Sequence, residues 1–166
     1  SGAEIAIFPP VSGGSGAVIQ AQITTEPLDL NQLTAQHVDA ETGAVCLFVG
    51  VVRGETHRGA AHTTASLEYE AYTAMAEAKL RQIGAEIQSR WPQVLQIALV
   101  QRIGILEPGA PSVAVICTAA HRDEGVFEAA RYGIDRLKEI APIWKKEIGP
   151  NGETWVDGDY HPQPGD

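Results

Sequence analysis

Positive charge is in short supply in this chain: twelve Lys and Arg against twenty-one Asp and Glu leave a net charge of -9. Nucleic acid is gripped by clustered cations, so no nucleic-acid partner is expected. Cysteine is nearly absent. Cys46 and Cys117 lie inside apolar runs and lack C-x-x-C spacing, which excludes a disulfide framework or a zinc site. Two buried free thiols in a reducing compartment are expected instead. No apolar run nears the roughly 20 residues that span a bilayer, and no basic stretch followed by an apolar one marks a signal peptide. The expectation is a cytoplasmic protein with no membrane partner. G-x-G-x-x-G, the Walker lysine loop, H-E-x-x-H and G-x-S-x-G are all missing. His37, His57, His62 and His161 are scattered without ligand spacing. Neither a metal nor a cofactor is expected.

What remains is an ordinary globular composition, 44% hydrophobic and 20% charged over 166 residues, enough for one domain with a real core. Residues 1–16 stand apart from the rest. EIAIF (4–8) alternates like a short strand, Pro9 and Pro10 stop it, and VSGGSG (11–16) reads as a flexible linker. The domain proper is expected over 17–166. VIQAQIT (18–24) alternates as a strand, and Asp29 is placed to cap a short helix reaching about Val38. The valine-rich run 43–52 has the pattern of a strand buried on both faces. Residues 54–64 are polar and contain glycine, as a mobile loop would.

Further on, 65–72 alternates with Leu67, Tyr69 and Ala71 on one side. Thr73 is expected to cap a helix with Ala76, Leu80, Ile83 and Ile87 on one stripe. Strands follow at about 94–105 and 112–119. A second long helix is expected from about Asp123, burying Phe127, Ala130, Ile134 and Leu137 and ending at Ala141-Pro142. A strand over 143–148, an Asn-Gly turn at 150–153 and a returning strand at Trp155-Val156 complete the chain. Runs of strands interrupted by a few helices indicate an α+β fold: an antiparallel or mixed sheet with helices packed on it, of the α/β hammerhead kind.

Half of the scarce cations, six of twelve, fall between Arg122 and Lys146. Five acids share that stretch, so a cationic pocket for a small anion and solvated helix faces both fit. His121-Arg122 sits between a strand and a helix start, where unpaired N–H groups attract anions. The same pair also suits a strand end tied to Asp123 or Glu124. Lys138 lies on the flank of the apolar stripe, where it either complements the helix C-terminus or is desolvated for proton transfer. Lys145 and Lys146 point to opposite faces of a strand, Lys145 with Ile143 and Glu147, Lys146 with Trp144 and Ile148. Arg53 ends a strand beside the polar loop, a common ligand position.

Taken together, GAVCLFVGVVR (43–53), LEYEAY (67–72), QRIG (101–104), AHR (120–122) and DRLKEIAPIWKKE (135–147) resemble the large-subunit family of molybdopterin synthase. The resemblance runs from about Val18 to Val156. It implies a sulfurtransferase that converts cyclic pyranopterin monophosphate to molybdopterin, with sulfur from a thiocarboxylated ubiquitin-like carrier. Lys138 would be the central catalytic group and Lys145 its partner. Arg53, His121 and Arg122 would bind the pterin monophosphate, with Val51, Val52, Lys146 and Glu147 lining the pocket. A homodimer is implied, the His-Arg pair coming from the neighbouring subunit. Gln101 stands where His is frequent in the family, and Asp159 where more basic residues are common. Residues 4–14 resemble the tail of the small carrier subunit, ending at Gly13-Gly14. Ser15 follows, so a fusion of carrier tail and catalytic unit is expected. The rival readings are a non-catalytic module that captures a Gly-Gly tail, and a generic phosphate-ligand domain.

Overall fold

The computed structural model describes residues 16–56, 62–156 and 158–166. In chain order these hold β1 (Val18–Thr24), α1 (Leu30–Gln36), β2 (Ala44–Val51), β3 (Glu55–Thr56), β4 (His62–Thr63), β5 (Ser66–Ala71) and α2 (Thr73–Arg90). Then come β6 (Gln96–Arg102), β7 (Gly104–Leu106), β8 (Pro111–Ala119), α3 (Val126–Ile140), β9 (Ile143–Gly149) and β10 (Gly152–Trp155). The fold is α+β, as expected. No helix among the described residues is long and apolar enough to cross a membrane.

Two sheets carry the architecture. The first has the order β1-β6-β8-β2, with β1 and β6 parallel and the other pairs antiparallel. Helices α2 and α3 cover one face, where Leu80, Ile83 and Ile87 meet Ile97, Leu99, Val115, Ile134 and Leu137. The smaller α1 covers the other, packing Leu33 on Ala98, Val100, Ala114 and Ile116. Its start is held as expected, with Asp29 accepting from the Gln32 N–H at 3.0 Å. The second sheet, β10-β9-β5-β7, is wholly antiparallel.

The strand expected over 94–105 is two strands in different sheets. Gly104 adopts φ +100°, a conformation open to glycine, and turns the chain from β6 into β7. The valine-rich run is also not a strand buried on both faces. β2 lies at the edge of the first sheet, so Val45, Phe48 and Val51 are exposed while Cys46 and Leu47 pack toward the two cores. The strands with both faces covered are β6 and β8, in the middle of that sheet.

The α2 stripe is buried as its spacing requires, although Tyr72 rather than Thr73 occupies the cap, with no side-chain bond. In α3 the helix begins at Val126, later than expected. Val126 therefore takes the core position and Phe127, one residue off the stripe, is 65% exposed. Within the 54–64 segment, Glu55–Thr56 pairs antiparallel with His62–Thr63. The turn between β9 and β10 forms, with positive φ at Gly152 alone and none at Asn151. Cys117 is buried and Cys46 half-buried, and both thiols are free. Burial pushes the Cys117 thiol up to about 12, which makes it unreactive. The readings for residues 4–14, Gly13 and Gly14 among them, lie outside the described residues.

Candidate active site

Lys138 stands in the last turn of α3, directly after the buried Leu137. Its amine is held below the ordinary 10.5, first because burial disfavours the ammonium and second because the Lys145 charge repels it; Asp159 opposes both. Two cations from different elements thus converge. The reason is local: α3 ends at Ala141-Pro142, and β9 starts at once, so the chain returns Lys145 beside the helix end it has just left.

β9 fixes what Lys145 faces. In the ladder with β5, Lys145 is opposite Tyr69 and Glu147 is opposite Leu67, so these share one face of the second sheet. Tyr69 is buried with Val52 and Leu106. Its phenol is raised by burial, against the lowering effects of a hydrogen bond with Ser112 and of the Arg53 guanidinium. Arg53 follows β2 and is exposed, yet its charge reaches Tyr69. Thr64 Oγ1 donates to Glu147 Oε1, securing that carboxylate at the sheet's end. Backbone bonds pin Val52 from both sides, its N–H donating to Ala110 O at 3.0 Å and its carbonyl accepting from Gly109 at 2.8 Å.

Lys138, Lys145, Glu147, Val52 and Arg53 are therefore drawn to one side of the second sheet. Tyr69 belongs with them and was missed by sequence reasoning, which saw it only as an apolar alternation; its register opposite Lys145 is set by strand pairing and has no local signal. Lys146 goes elsewhere. On the opposite face it pairs with Glu68 at 2.9 Å and Glu153 at 3.0 Å, and lies 5.4 Å from the Trp155 ring centroid. These two carboxylates raise its pKa, Glu68 first. Val51 is 50% exposed on the edge strand.

His121 and Arg122 are also exposed and lie, as expected, between β8 and the start of α3. The His121 N–H is taken by Glu124 Oε2 at 3.2 Å. Between Val126 and Lys138 run twelve residues of helix, about 18 Å at the usual rise. Within one chain, then, the His-Arg pair and the lysine pair mark opposite ends of α3. What the lysine end can do chemically is clear. A lysine whose pKa is depressed is a readier proton acceptor than an ordinary lysine, and a cationic neighbour can stabilise developing negative charge.

The sequence pattern that defines the MoaE protein family matches residues 23–140. A molybdopterin synthase catalytic subunit from Halalkalibacterium halodurans is 46% identical over 134 residues, covering 81% of this chain and 83% of that protein. Among solved structures, molybdopterin synthase from Staphylococcus aureus superposes with a TM-score of 0.74 at 41% identity, over 81% of this chain and 95% of that one. A complex of subunits 1 and 2 of molybdopterin-converting factor from Helicobacter pylori has the same fold, with a TM-score of 0.68 at 21% identity over 89% and 95% of the two chains.

Proposed function

The chain belongs to the MoaE protein family and acts in molybdenum cofactor biosynthesis as a sulfurtransferase of the molybdopterin synthase kind, and we propose that Lys138 is its central catalytic group. The observation that carries this reading is the pairing of Lys138 and Lys145 from two elements, with the Lys138 ammonium disfavoured by burial and by its neighbour. In this reading the thiocarboxylate sulfur of a ubiquitin-like carrier attacks an electrophilic carbon of cyclic pyranopterin monophosphate, whose displaced oxygen leaves protonated. Water then cleaves the carrier's acyl–sulfur bond, leaving the sulfur on the pterin and returning the carrier as a carboxylate. Lys138 moves the protons, and Lys145 stabilises the charge that develops. Arg53 holds the anionic substrate, and Val52 and Glu147 shape the pocket. Two sulfurs are needed per product, so two carrier molecules are consumed. The reaction is assigned to the cytoplasm.

A homodimer completes the site. His121 and Arg122 are too far along α3 to serve the lysines of their own chain, so they serve those of a second copy. The apolar edge formed by Val45, Phe48 and Val51 on β2 suits such an interface. Lys146, committed to Glu68 and Glu153 on the far face, supports the sheet rather than touching substrate. Gly13-Gly14 is read as the end of a fused carrier tail. Because Ser15 follows, sulfur transfer requires cleavage after Gly14 or a separate carrier chain.

The test is Lys138→Ala, assayed for dithiolene formation with thiocarboxylated carrier. Loss of a positioned acid–base group is expected to slow turnover by about 10²–10⁴-fold. Activity near wild type would remove Lys138 from the mechanism. Wild-type protein that binds carrier without ever turning over would mark a capture module instead.

A further inference from the structure

Beyond β10 the chain doubles back along the end of α3. The Val156 N–H donates to the Lys145 carbonyl at 3.1 Å, and the Tyr160 ring meets Trp144 edge-on, with centroids 6.1 Å apart. Next, the His161 N–H donates to the Glu139 carbonyl at 2.8 Å. Last, Arg136 Nη2 donates to Asp166 Oδ1 at 2.5 Å, while Asp166 Oδ2 accepts from the Gln163 N–H at 2.6 Å. The anchors run in order from Lys145 through Trp144 and Glu139 to Arg136. Each lies beside one of the two lysines or within a helical turn of it.

Asp159 falls between the first and third of these anchors, where the segment crosses from β9 to α3. Its carboxylate attracts the Lys138 ammonium, against the repulsion from Lys145. The latch is firm. Arg136 is only 17% exposed and is also held by Glu86 at 2.9 Å and Glu139 at 3.4 Å, so the guanidinium meets Asp166 from a fixed position. Such a segment, lacking secondary structure of its own, must offset its ordering entropy through anchors of this kind.

We propose that residues 158–166 form a positioning strap, latched to α3 by Asp166 and Arg136, that holds the Asp159 carboxylate at the Lys138 end of the helix, within reach of its charge. Asp159 touches no reacting atom in this scheme; it offsets part of the burial and of the Lys145 repulsion that disfavour the Lys138 ammonium. The inference rests on the catalytic reading of Lys138. Around that amine, Lys145 on β9 repels the ammonium and Asp159 on the strap attracts it. On α3 itself, Asp135 is paired with Arg131 and Glu139 with Arg136. Asp166 is spent on Arg136.

The strap is tested by titrating Lys138 directly, through the pH dependence of its acylation by acetic anhydride in the full chain, read by peptide mass mapping. This measurement needs no sulfur transfer, so it stands whether or not Lys138→Ala abolishes turnover. Asp159→Asn is expected to shift the acylation midpoint to lower pH, with acylation about fivefold faster at a fixed pH below it. Asp159→Glu should restore most of the wild-type profile. Asp166→Asn frees the latch but keeps the Asp159 carboxylate, and should shift the midpoint the same way by less. The limb of the kcat/KM profile that reports Lys138 should follow. An unmoved midpoint in Asp159→Asn would overturn the proposal, even with slower turnover. A midpoint unmoved in Asp166→Asn would overturn the strap.

Discussion

Lys138, the proposed catalytic group, burdens the fold. Its folded pKa lies below the ordinary 10.5, so between those two values the unfolded chain binds more protons than the native one. Stability therefore rises with pH across that window, and below it the full cost of burying a cation beside Lys145 is felt. Lys138→Met should accordingly melt at a higher temperature than wild type near about pH 7, with the gap narrowing toward about pH 10. Thermal denaturation at several pH values checks this, and a variant less stable throughout would show that the amine is comfortable where it sits. Tyr69 and Lys146 make the complementary point. By its alternation Tyr69 is merely an apolar position, yet it joins the lysine face. Lys146 has the charge of a pocket cation, yet it is spent on Glu68 and Glu153.

At the scale of elements, the junctions decide where the functional groups end up. α3 depends on the glycine before it. Gly125 adopts φ +91°, and a Cβ placed there would come within 2.3 Å of Trp91 Cδ1. Gly125→Ala thus combines a left-handed backbone with a clash against a large ring, and is expected to cost about 1–3 kcal/mol. Calorimetry should show a melting temperature lower by roughly 2–4 °C per kcal/mol; an unchanged melting point would mean that Trp91 yields freely. Pro142 works at the other end of the helix, stopping it so that β9 begins beside Lys138. The helix positions were legible because a stripe repeats every three or four residues. The edge position of β2 was not, because an apolar strand reads alike whether a neighbouring strand or solvent lies beyond it.

For the whole molecule, the question is which lysine pair each His121-Arg122 serves. If the site is shared across a dimer, two defective chains can repair one another. Co-expressed Lys138→Ala and Arg122→Ala chains would form mixed dimers with one intact site, recovering about a quarter of wild-type activity by random assortment. Separately, each variant would be nearly inactive. No recovery in isolated mixed dimers would place the His-Arg pair outside the site.

Sequence alone determined the family, the α+β class, the stripe of α2 and, apart from Phe127, the stripe of α3. The class and the stripes follow from local periodicity, and the family from the resemblance of motifs along a continuous chain. It could not decide which sheet each half of 94–105 would join, that β2 would be an edge, that Tyr69 would stand opposite Lys145, or that the last residues would fold back over α3. Those depend on strand pairing and on contacts between residues far apart in the chain. Such contacts are set by which surfaces remain to be buried once the local elements have formed.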